Sequence, residues 1–296
     1  MASAAVPIAI VSLLLRFMAK TNRWGASAFG QGVGLVLSCC SPRHGLSHGP
    51  RGRAGEGNEG RGSKEEQTMA CVGIVGGLGV GATVHYYQNI ARACKAQGVV
   101  PDLVIIHADV DHGQSLVRTG KLETLARYLA SFIDRLARAG AVAAVLPAVT
   151  PHICVGELMP RINLPLINII DVIGAELCAR QLKRVALFGT ISTMQGSLWG
   201  QLGSVAPQVE IISPKQDEMR LIGKAYQRIL DTQQVDPKDS ADLRSIAIEL
   251  QHRDGVEAIL LGGTDLAVMF DESTAGFPAI DVARLHINAI VERLAS

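Results

Sequence analysis

Side chains that could do chemistry follow the ends of two apolar runs in this sequence. The runs span residues 143–146 and 258–261, and the polar side chains that follow them are those of Thr150, His152, Thr264 and Asp265. A threonine hydroxyl can donate a hydrogen bond to a carboxylate, whereas a histidine or an aspartate can carry a proton. Each threonine could instead cap a helix, and His152 could be a solvated residue of a first helical turn. Because the two runs are alike, we favour the interpretation that the residues after them form two opposite walls of one binding site.

An internal duplication relates the two runs. At a spacing of 115 positions three pairs of residues correspond, namely Arg138 with Arg253, Gly140 with Gly255, and Ala148 with Gly263. At the similar spacing of 113 positions, Val72–Gly77 corresponds to Val185–Thr190. A duplicated chain predicts two similar lobes, each of which contributes one wall to a shared cleft.

A glycine-rich segment, Gly77–Ala82, follows the first apolar run and fits the pattern G-x-G-x-x-G/A. Glycines at a strand-to-helix turn let an anion approach the helix N-terminus, so the segment could bind the phosphates of NAD or the carboxylate of a substrate. A dinucleotide site also needs an acid about 20 residues further on. Here the second strand ends at His107, and Asp109 lies 30 residues past Gly79. The segment could also be no more than a tight turn, but we expect Gly77 to contact a ligand.

Further candidates lie in the second half of the chain. Thr190, Ser192 and Thr193 offer three hydroxyls after its first strand, more than one helix cap requires. His286 lies on the last predicted helix and could point back toward the cleft. We expect substrate to be bound by the following residues: Gly77, Thr150, Thr190, Thr193, Thr264 and His286.

The surrounding sequence predicts an α/β fold. Short apolar runs alternate with segments whose apolar residues recur every three or four positions, as over residues 122–139. Strands that alternate with helices form parallel sheets covered by helices, and ligands bind at the carboxyl ends of such strands. We predict two pseudo-symmetric lobes, residues 69–171 and 172–296, each with one parallel sheet and with the site in the cleft between them. The C-terminal helix, residues 281–296, is expected to pack back on the first lobe.

Residues 1–68 differ from the rest of the chain. They carry eight Lys or Arg and four acids, and residues 41–68 hold few apolar side chains. This composition predicts a disordered tail, a targeting segment or an over-extended start. The apolar stretch 4–15 is too short to span a bilayer, which needs about 20 residues. We expect a cytoplasmic protein, with mitochondrial targeting by residues 1–40 as the minor alternative.

Charge and cysteine content exclude several function classes. Residues 69–296 carry 20 Lys or Arg and 23 Asp or Glu without a basic cluster, which argues against a nucleic-acid partner. None of the six cysteines stands in a C-x-x-C pair, which argues against a zinc site and predicts free thiols in a reducing compartment. We expect no metal, no cofactor and no stable membrane span.

Several motifs, in order, resemble those of the aspartate/glutamate racemase superfamily over residues 69–296. They are Gly73–Gly79, Thr150-x-His152, Gly189-Thr190-x-x-Thr193, Leu261-Gly262-x-Thr264-Asp265-Leu266 and Asp281–His286. The resemblance implies cofactor-independent racemisation of aspartate, glutamate or a related small amino acid. In that reaction a thiolate on one side of the substrate Cα removes a proton, and a thiol on the other side returns one. Family members often pair, so the resemblance also implies a homodimer.

Both cysteines of that mechanism are substituted in this chain. The resemblance places them at Ala148 and Gly263, which carry no proton-transferring group. Three hypotheses follow: an isomerase of amino acids whose proton carriers are His152 and Asp265, a non-catalytic protein that binds a small amino acid or carboxylate, and, third, an NAD-dependent oxidoreductase. Restoring Ala148→Cys and Gly263→Cys together is expected to produce activity that neither single variant has.

Overall fold

A computed structural model describes residues 70–197 and 199–295, without the side chains of residues 197, 199 and 200. The predictions made for residues 1–68, and the ends of the two predicted lobes at residues 69 and 296, lie outside the described residues. The four described cysteines are free thiols. None of the described helices is long and apolar enough to cross a membrane.

Two parallel β-sheets flanked by helices confirm the predicted fold class. The first sheet has the strand order β2-β1-β3, with β1 at Val72–Gly76, β2 at Leu103–His107 and β3 at Ala143–Val145. The second has the order β5-β4-β6-β7, with β4 at Arg184–Phe188, β5 at Glu210–Ile212, β6 at Ala258–Leu261 and β7 at Ala279–Ile280. All residues of β1 and β6 are buried, as is usual for central strands covered on both faces.

The helices occupy the connections between strands. They are α1 Val80–Ala96, α2 Val110–Arg118, α3 Leu122–Arg138, α4 Val155–Leu158, α5 Ile169–Ala179, α6 Trp199–Val205, α7 Gln216–Thr232, α8 Pro237–Asp254 and α9 Val282–Ala295. Shorter helical turns of 3-10 type span Thr150–Cys154, Met159–Arg161 and Thr264–Val268, and a π-type turn spans Thr193–Ser197. The last helix, α9, packs against α1 and shares an apolar cluster with β1 and β3.

Apolar spacing and capping residues account for most of these helices. The buried residues of α3 recur at helical intervals from Leu125 to Leu136, so that one face lies on the first sheet. At the start of α8 the Asp236 carboxylate accepts from the Lys238 backbone N–H, and Pro237 takes the first helical position. Gly255, at a φ of 66°, ends the same helix in the left-handed conformation that glycine adopts most readily.

Three segments differ from the sequence predictions. The helical periodicity of the sequence begins at residue 83, but helix α1 begins at Val80, inside the glycine-rich segment. Helix α2 was not predicted, although Asp109 caps it by accepting from the backbone N–H groups of Asp111 and His112. The sequence predicts one helix that follows the apolar run 143–146 and continues to about residue 159, but this segment is divided into two 3-10 turns and one turn of α-helix. These short irregular turns leave no repeating apolar pattern that a sequence could show.

Candidate functional site

A cleft opens where the parallel strands of both sheets reach their carboxyl ends. Its volume is about 440 Å³, which lies within the range of about 300–1,000 Å³ that is usual for small-molecule sites. An inner cavity of about 40 Å³ shares Thr150, Thr190 and Tyr226 with the cleft and also reaches Ala148. The two spaces therefore form one candidate site. It joins the residues that follow β3 to those that follow β4.

The charged side chains that line the cleft are two cations, Arg118 and Lys224. Arg118 ends α2 and Lys224 lies on α7, so the two halves of the fold contribute one cation each. Both residues are exposed, and neither is in an ion pair with any residue that the structure describes. Since none of the described residues that line the cleft is an Asp or a Glu, the lining favours an anionic ligand over a cationic one.

Ala148 lines the inner cavity, whereas Gly263 lines neither cavity, and the space beside Gly263 is filled. A β-carbon added to Gly263 would lie 2.4 Å from Cε2 and 2.8 Å from Cδ2 of Tyr226. The Tyr226 ring therefore occupies the volume that a side chain at position 263 would need. The backbone of Gly263 is extended, with φ −82° and ψ 105°, so any residue could adopt its conformation, and the close approach of the ring is what disfavours a larger one.

Asp265, two residues after Gly263, is buried and is hydrogen-bonded to residues of two distant helices. One carboxylate oxygen, Oδ1, accepts from the Ala82 backbone N–H at 2.8 Å, in the first turn of α1. The other, Oδ2, accepts from the Tyr226 hydroxyl at 3.4 Å. Burial raises the pKa of Asp265, while the hydrogen bonds from Ala82 and Tyr226 act in the opposite direction. The sequence prediction made this residue a proton carrier; the structure gives it a position at a helix N-terminus, where a carboxylate is stabilised.

Three threonine hydroxyls from both halves of the fold converge beside the cleft. The Thr150 and Thr193 Oγ1 atoms lie 2.9 Å apart, Thr190 and Thr193 lie 2.7 Å apart, and Thr150 and Thr190 lie 3.3 Å apart. The structure thus brings together three of the predicted ligand-binding residues. A hydroxyl both donates and accepts, so this cluster can turn its donors toward an anion.

Thr264 makes a different contact. Its hydroxyl donates to the Pro147 carbonyl at 3.1 Å and is buried, which joins the two strand-end segments directly. Neither Thr150 nor Thr264 caps a helix. The predicted capping alternative is therefore wrong for both residues. Thr264 joins the segments that follow β3 and β6, and it does not line the cleft.

His152 and His286 are fully buried. The alternative of a solvated His152 is wrong: its Nδ1 atom bonds the Ala148 carbonyl at 2.9 Å, and its Nε2 atom has no hydrogen-bond partner among the residues that the structure describes. Burial lowers the pKa of His152 to about 4 and that of His286 to about 3. His286 bonds the Ile167 carbonyl through Nε2 at 2.8 Å, which leaves Nδ1 to accept from the Tyr86 hydroxyl at 3.1 Å. Both rings lie behind the cleft lining.

Gly77 takes a φ of 81°, and a β-carbon there would lie 2.3 Å from the Ala108 carbonyl oxygen, so this position requires glycine. Its backbone N–H donates to the Thr83 hydroxyl, a contact within the turn itself. The first turn of α1, where a dinucleotide phosphate would bind, already donates the Ala82 N–H to the Asp265 carboxylate. A phosphate would meet a negative charge there, which argues against the NAD hypothesis.

The site contains residues that sequence reasoning missed. Tyr226 lies among the buried residues of α7, which also include Ile222, Ala225 and Ile229, so its spacing resembles that of a core residue. Arg118 lies at the end of a helix that was not predicted. Gln114 and Lys224 also line the cleft, and neither belongs to a sequence motif that could have identified it. Of the four described cysteines, none lines the cleft, and burial raises the pKa of Cys154 to about 12.

Removal of the Asp265 side chain should weaken the fold. Asp265→Ala leaves the Ala82 N–H and the Tyr226 hydroxyl without their buried acceptor, and we expect a loss of about 1–3 kcal/mol in the free energy of unfolding. Asp265→Asn keeps an acceptor at Oδ1 and should lose less than half as much. Urea denaturation measures both values. Equal losses in the two variants would contradict the role of Oδ1 at the helix N-terminus.

Comparisons with known proteins agree with this architecture. Residues 75–290 match the sequence profile of the Asp/Glu/hydantoin racemase family. A candidate Asp/Glu racemase from Yersinia pestis is 23% identical, with a TM-score of 0.68 over 77% of this chain and 100% of that one. An aspartate racemase homologue from Pyrococcus horikoshii is 22% identical, with a TM-score of 0.65 over 77% and 100%. An aspartate racemase from Picrophilus torridus is 21% identical, with a TM-score of 0.62 over 76% and 94%.

Proposed function

The chain belongs to the Asp/Glu/hydantoin racemase family, and from this premise we propose that it binds a small carboxylic acid, amino acids included, in the cleft, without two-thiol racemisation. One observation carries the proposal: the cleft is lined by cations and hydroxyls, whereas the two positions at which the resemblance places thiols are Ala148 and Gly263. The Tyr226 ring fills the space beside Gly263, so no other side chain takes the place of the second thiol there.

The chemistry of the lining suggests how such a ligand is held. Its carboxylate accepts hydrogen bonds from the hydroxyls of Thr150 and Thr190, which lie within hydrogen-bonding distance of each other and line both cavities. A second anionic group on the ligand pairs with Arg118 or Lys224. Hydrogen bonds between charged groups are stronger than those between neutral groups, so these cations should contribute most of the affinity for a dicarboxylate.

The cations give the first test of ligand binding. We expect titration calorimetry with L- and D-aspartate, L- and D-glutamate and succinate to detect at least one ligand. Lys224→Ala or Arg118→Ala should weaken a dicarboxylate about 10- to 100-fold, which corresponds to a charge-assisted hydrogen bond of about 1.5–3 kcal/mol. Lys238→Ala, an exposed lysine at the start of α8, is the matched control. Unchanged affinity in both cleft variants, or no binding at all, would overturn the proposal.

An isomerase that uses other groups is the second candidate, and the contact between Tyr226 and Asp265 favours it. Tyr226 lines the cleft, and its hydroxyl reaches the buried carboxylate, so a proton could pass between a ligand and Asp265 through the phenol. Burial raises the pKa of Tyr226 well above its usual value, so the phenol is neutral near pH 7. On this hypothesis His152 and Asp265 remain the proton carriers proposed from the sequence.

Exchange of the Cα proton distinguishes the two candidates. The chain is incubated in deuterated water with each ligand that binds, and NMR reports loss of the Cα proton signal. Binding without exchange supports the binding protein. Exchange that disappears in Tyr226→Phe, with ligand affinity retained, would replace it by the isomerase.

A further inference from the structure

The inner cavity differs from the cleft in the chemistry of its lining. None of the described residues that line only the inner cavity has a polar side chain; they include Leu78, Val110, Leu125, Val149 and Leu230. The two cations that line the cleft, Arg118 and Lys224, do not reach the inner cavity. The site therefore has an apolar inner end and a cationic outer end.

Polar side chains lie at the boundary between the two spaces. Gln114, Thr150, Thr190 and Tyr226 line both the inner cavity and the cleft. A ligand carboxylate that accepts from the hydroxyls of Thr150 and Thr190 is held at this boundary. The carbon atom attached to that carboxylate can then direct one substituent into the inner cavity and another outward, toward the cations.

Neither space offers a partner for an ammonium group. No Asp or Glu is present among the described residues that line the inner cavity or the cleft. An ammonium in the inner cavity would lose its hydration without gaining a counter-charge, and one in the cleft would lie near Arg118 and Lys224. An aliphatic group in the inner cavity has no such cost.

Gly113 keeps part of the inner cavity open. Val110, Gly113, Gln114 and Val117 recur at helical spacing, so one face of α2 lines this space. Gly113 is buried, yet a β-carbon built on it would have no described atom within 4 Å outside its own helix. Alanine would fit there and is a far better helix former than glycine. The packing of the protein therefore does not require a glycine, whereas a ligand that enters the cavity would.

The size of the inner cavity limits what can enter it. Its volume is about 40 Å³, and about 10–15 Å³ is enough for one water molecule, so the space accepts roughly three groups of that size. Water needs two to four polar partners, which this lining does not supply through its side chains. A chain of two or three carbon atoms matches both the volume and the chemistry.

We infer that the ligand of this site is a dicarboxylic acid that carries a short aliphatic substituent where an amino acid has its amino group. The substituent occupies the inner cavity, one carboxylate binds Thr150 and Thr190, and the other pairs with a cation of the cleft. Gly113 is the specificity-determining residue, because it sets the length of the substituent. This inference rests on the function proposed above and narrows its ligand class.

Titration calorimetry with succinate, 2-methylsuccinate, 2-ethylsuccinate and aspartate tests the substituent. Burial of one methylene strengthens binding about fourfold, so we expect 2-ethylsuccinate to bind about 10-fold more tightly than succinate. Aspartate and 2-methylsuccinate have nearly the same shape but carry an ammonium and a methyl group, respectively, on the same carbon. We expect 2-methylsuccinate to bind at least about 10-fold more tightly, because the ammonium has no partner.

Variants of Gly113 test the place of the substituent. The measured quantity is the ratio of the dissociation constants of succinate and 2-ethylsuccinate, which a general loss of affinity does not change. Gly113→Val adds three carbon atoms to the cavity and should reduce this ratio to about 1, from about 10 in wild type. Gly113→Ala should give an intermediate ratio, and it should fold as well as wild type because its β-carbon has room. Gly203→Val is the matched control, since Gly203 is a helical glycine of α6 that lines neither space and has similar room for a β-carbon.

The outcomes separate this inference from the proposed function. If none of the four acids binds, both are overturned. If succinate binds but the ethyl group adds nothing, or if aspartate binds as tightly as 2-methylsuccinate, only the inference is overturned. A ratio that stays at its wild-type value in Gly113→Ala and Gly113→Val would place the substituent outside the inner cavity and would likewise overturn the inference.

Discussion

Gly263→Cys is expected to destabilise the protein and to produce no activity, even when combined with Ala148→Cys. The new β-carbon would lie 2.4–2.9 Å from three atoms of the Tyr226 ring, and the ring is buried among other residues. Overpacking of this kind costs about 1–3 kcal/mol. Urea denaturation measures the loss, and Cα exchange in deuterated water measures activity. From the sequence alone, the two restored cysteines were expected to be sufficient for activity. The structure changes this expectation.

Tyr226→Ala should relieve the obstruction. Tyr226→Ala should lower the free energy of unfolding less in the Gly263→Cys background than in wild type. The difference should exceed about 1 kcal/mol, because the side chains at positions 226 and 263 compete for one space. The triple variant with Ala148→Cys is the one expected to exchange the Cα proton. Gly203→Cys is the control, since a β-carbon at Gly203 would have no described atom within 4 Å. Equal exchange by the double and triple variants would contradict the obstruction by Tyr226.

Lowering the pH from 7 toward 4 is expected to remove several kcal/mol of stability through two buried histidines. Burial lowers the pKa of His152 to about 4 and that of His286 to about 3, from an ordinary value of 6.5. Below pH 6.5 the unfolded chain therefore binds protons that the folded chain does not. This stability is fully present above pH 6.5 and is lost as the pH falls toward the folded-state values. Each histidine contributes about 1.4 kcal/mol per pH unit within its window.

A variant isolates the contribution of one histidine. His152→Asn keeps a donor for the Ala148 carbonyl but cannot titrate, so the slope of unfolding free energy against pH should decrease by about one proton between pH 6 and 4.5. Burial raises the pKa of Asp265 and of Asp281, which by itself makes the free energy of unfolding increase as the pH falls. Wild type and the histidine variants share this contribution, so it cancels when their slopes are compared. Urea denaturation at a series of pH values gives the slope, with His252→Asn, exposed on α8, as control. An unchanged slope in His152→Asn would contradict the buried, neutral imidazole.

Burial also explains why the candidate proton carriers are hard to judge from sequence. His152 and Asp265 follow strand ends, where ligands usually bind, and the sequence therefore placed both at the cleft. The structure puts the His152 ring and the Asp265 carboxylate one layer behind the lining, in contact with backbone groups. Both residues do follow strands, His152 after β3 and Asp265 after β6. The direction of each side chain depends on neighbours from other elements, which local spacing does not specify.

The amino-acid sequence by itself determined the two parallel sheets, most helix and strand positions, and the placement of Ala148 and Gly263 just past the ends of β3 and β6. Strand and helix periods are local properties, since they follow from which residues of one segment face the core. Only the tertiary structure decided that the Tyr226 ring fills the space at Gly263 and that Asp265 bonds Ala82, 183 positions away. Such contacts arise when separately folded segments pack together, and no short stretch of sequence records which side chains will then share one volume.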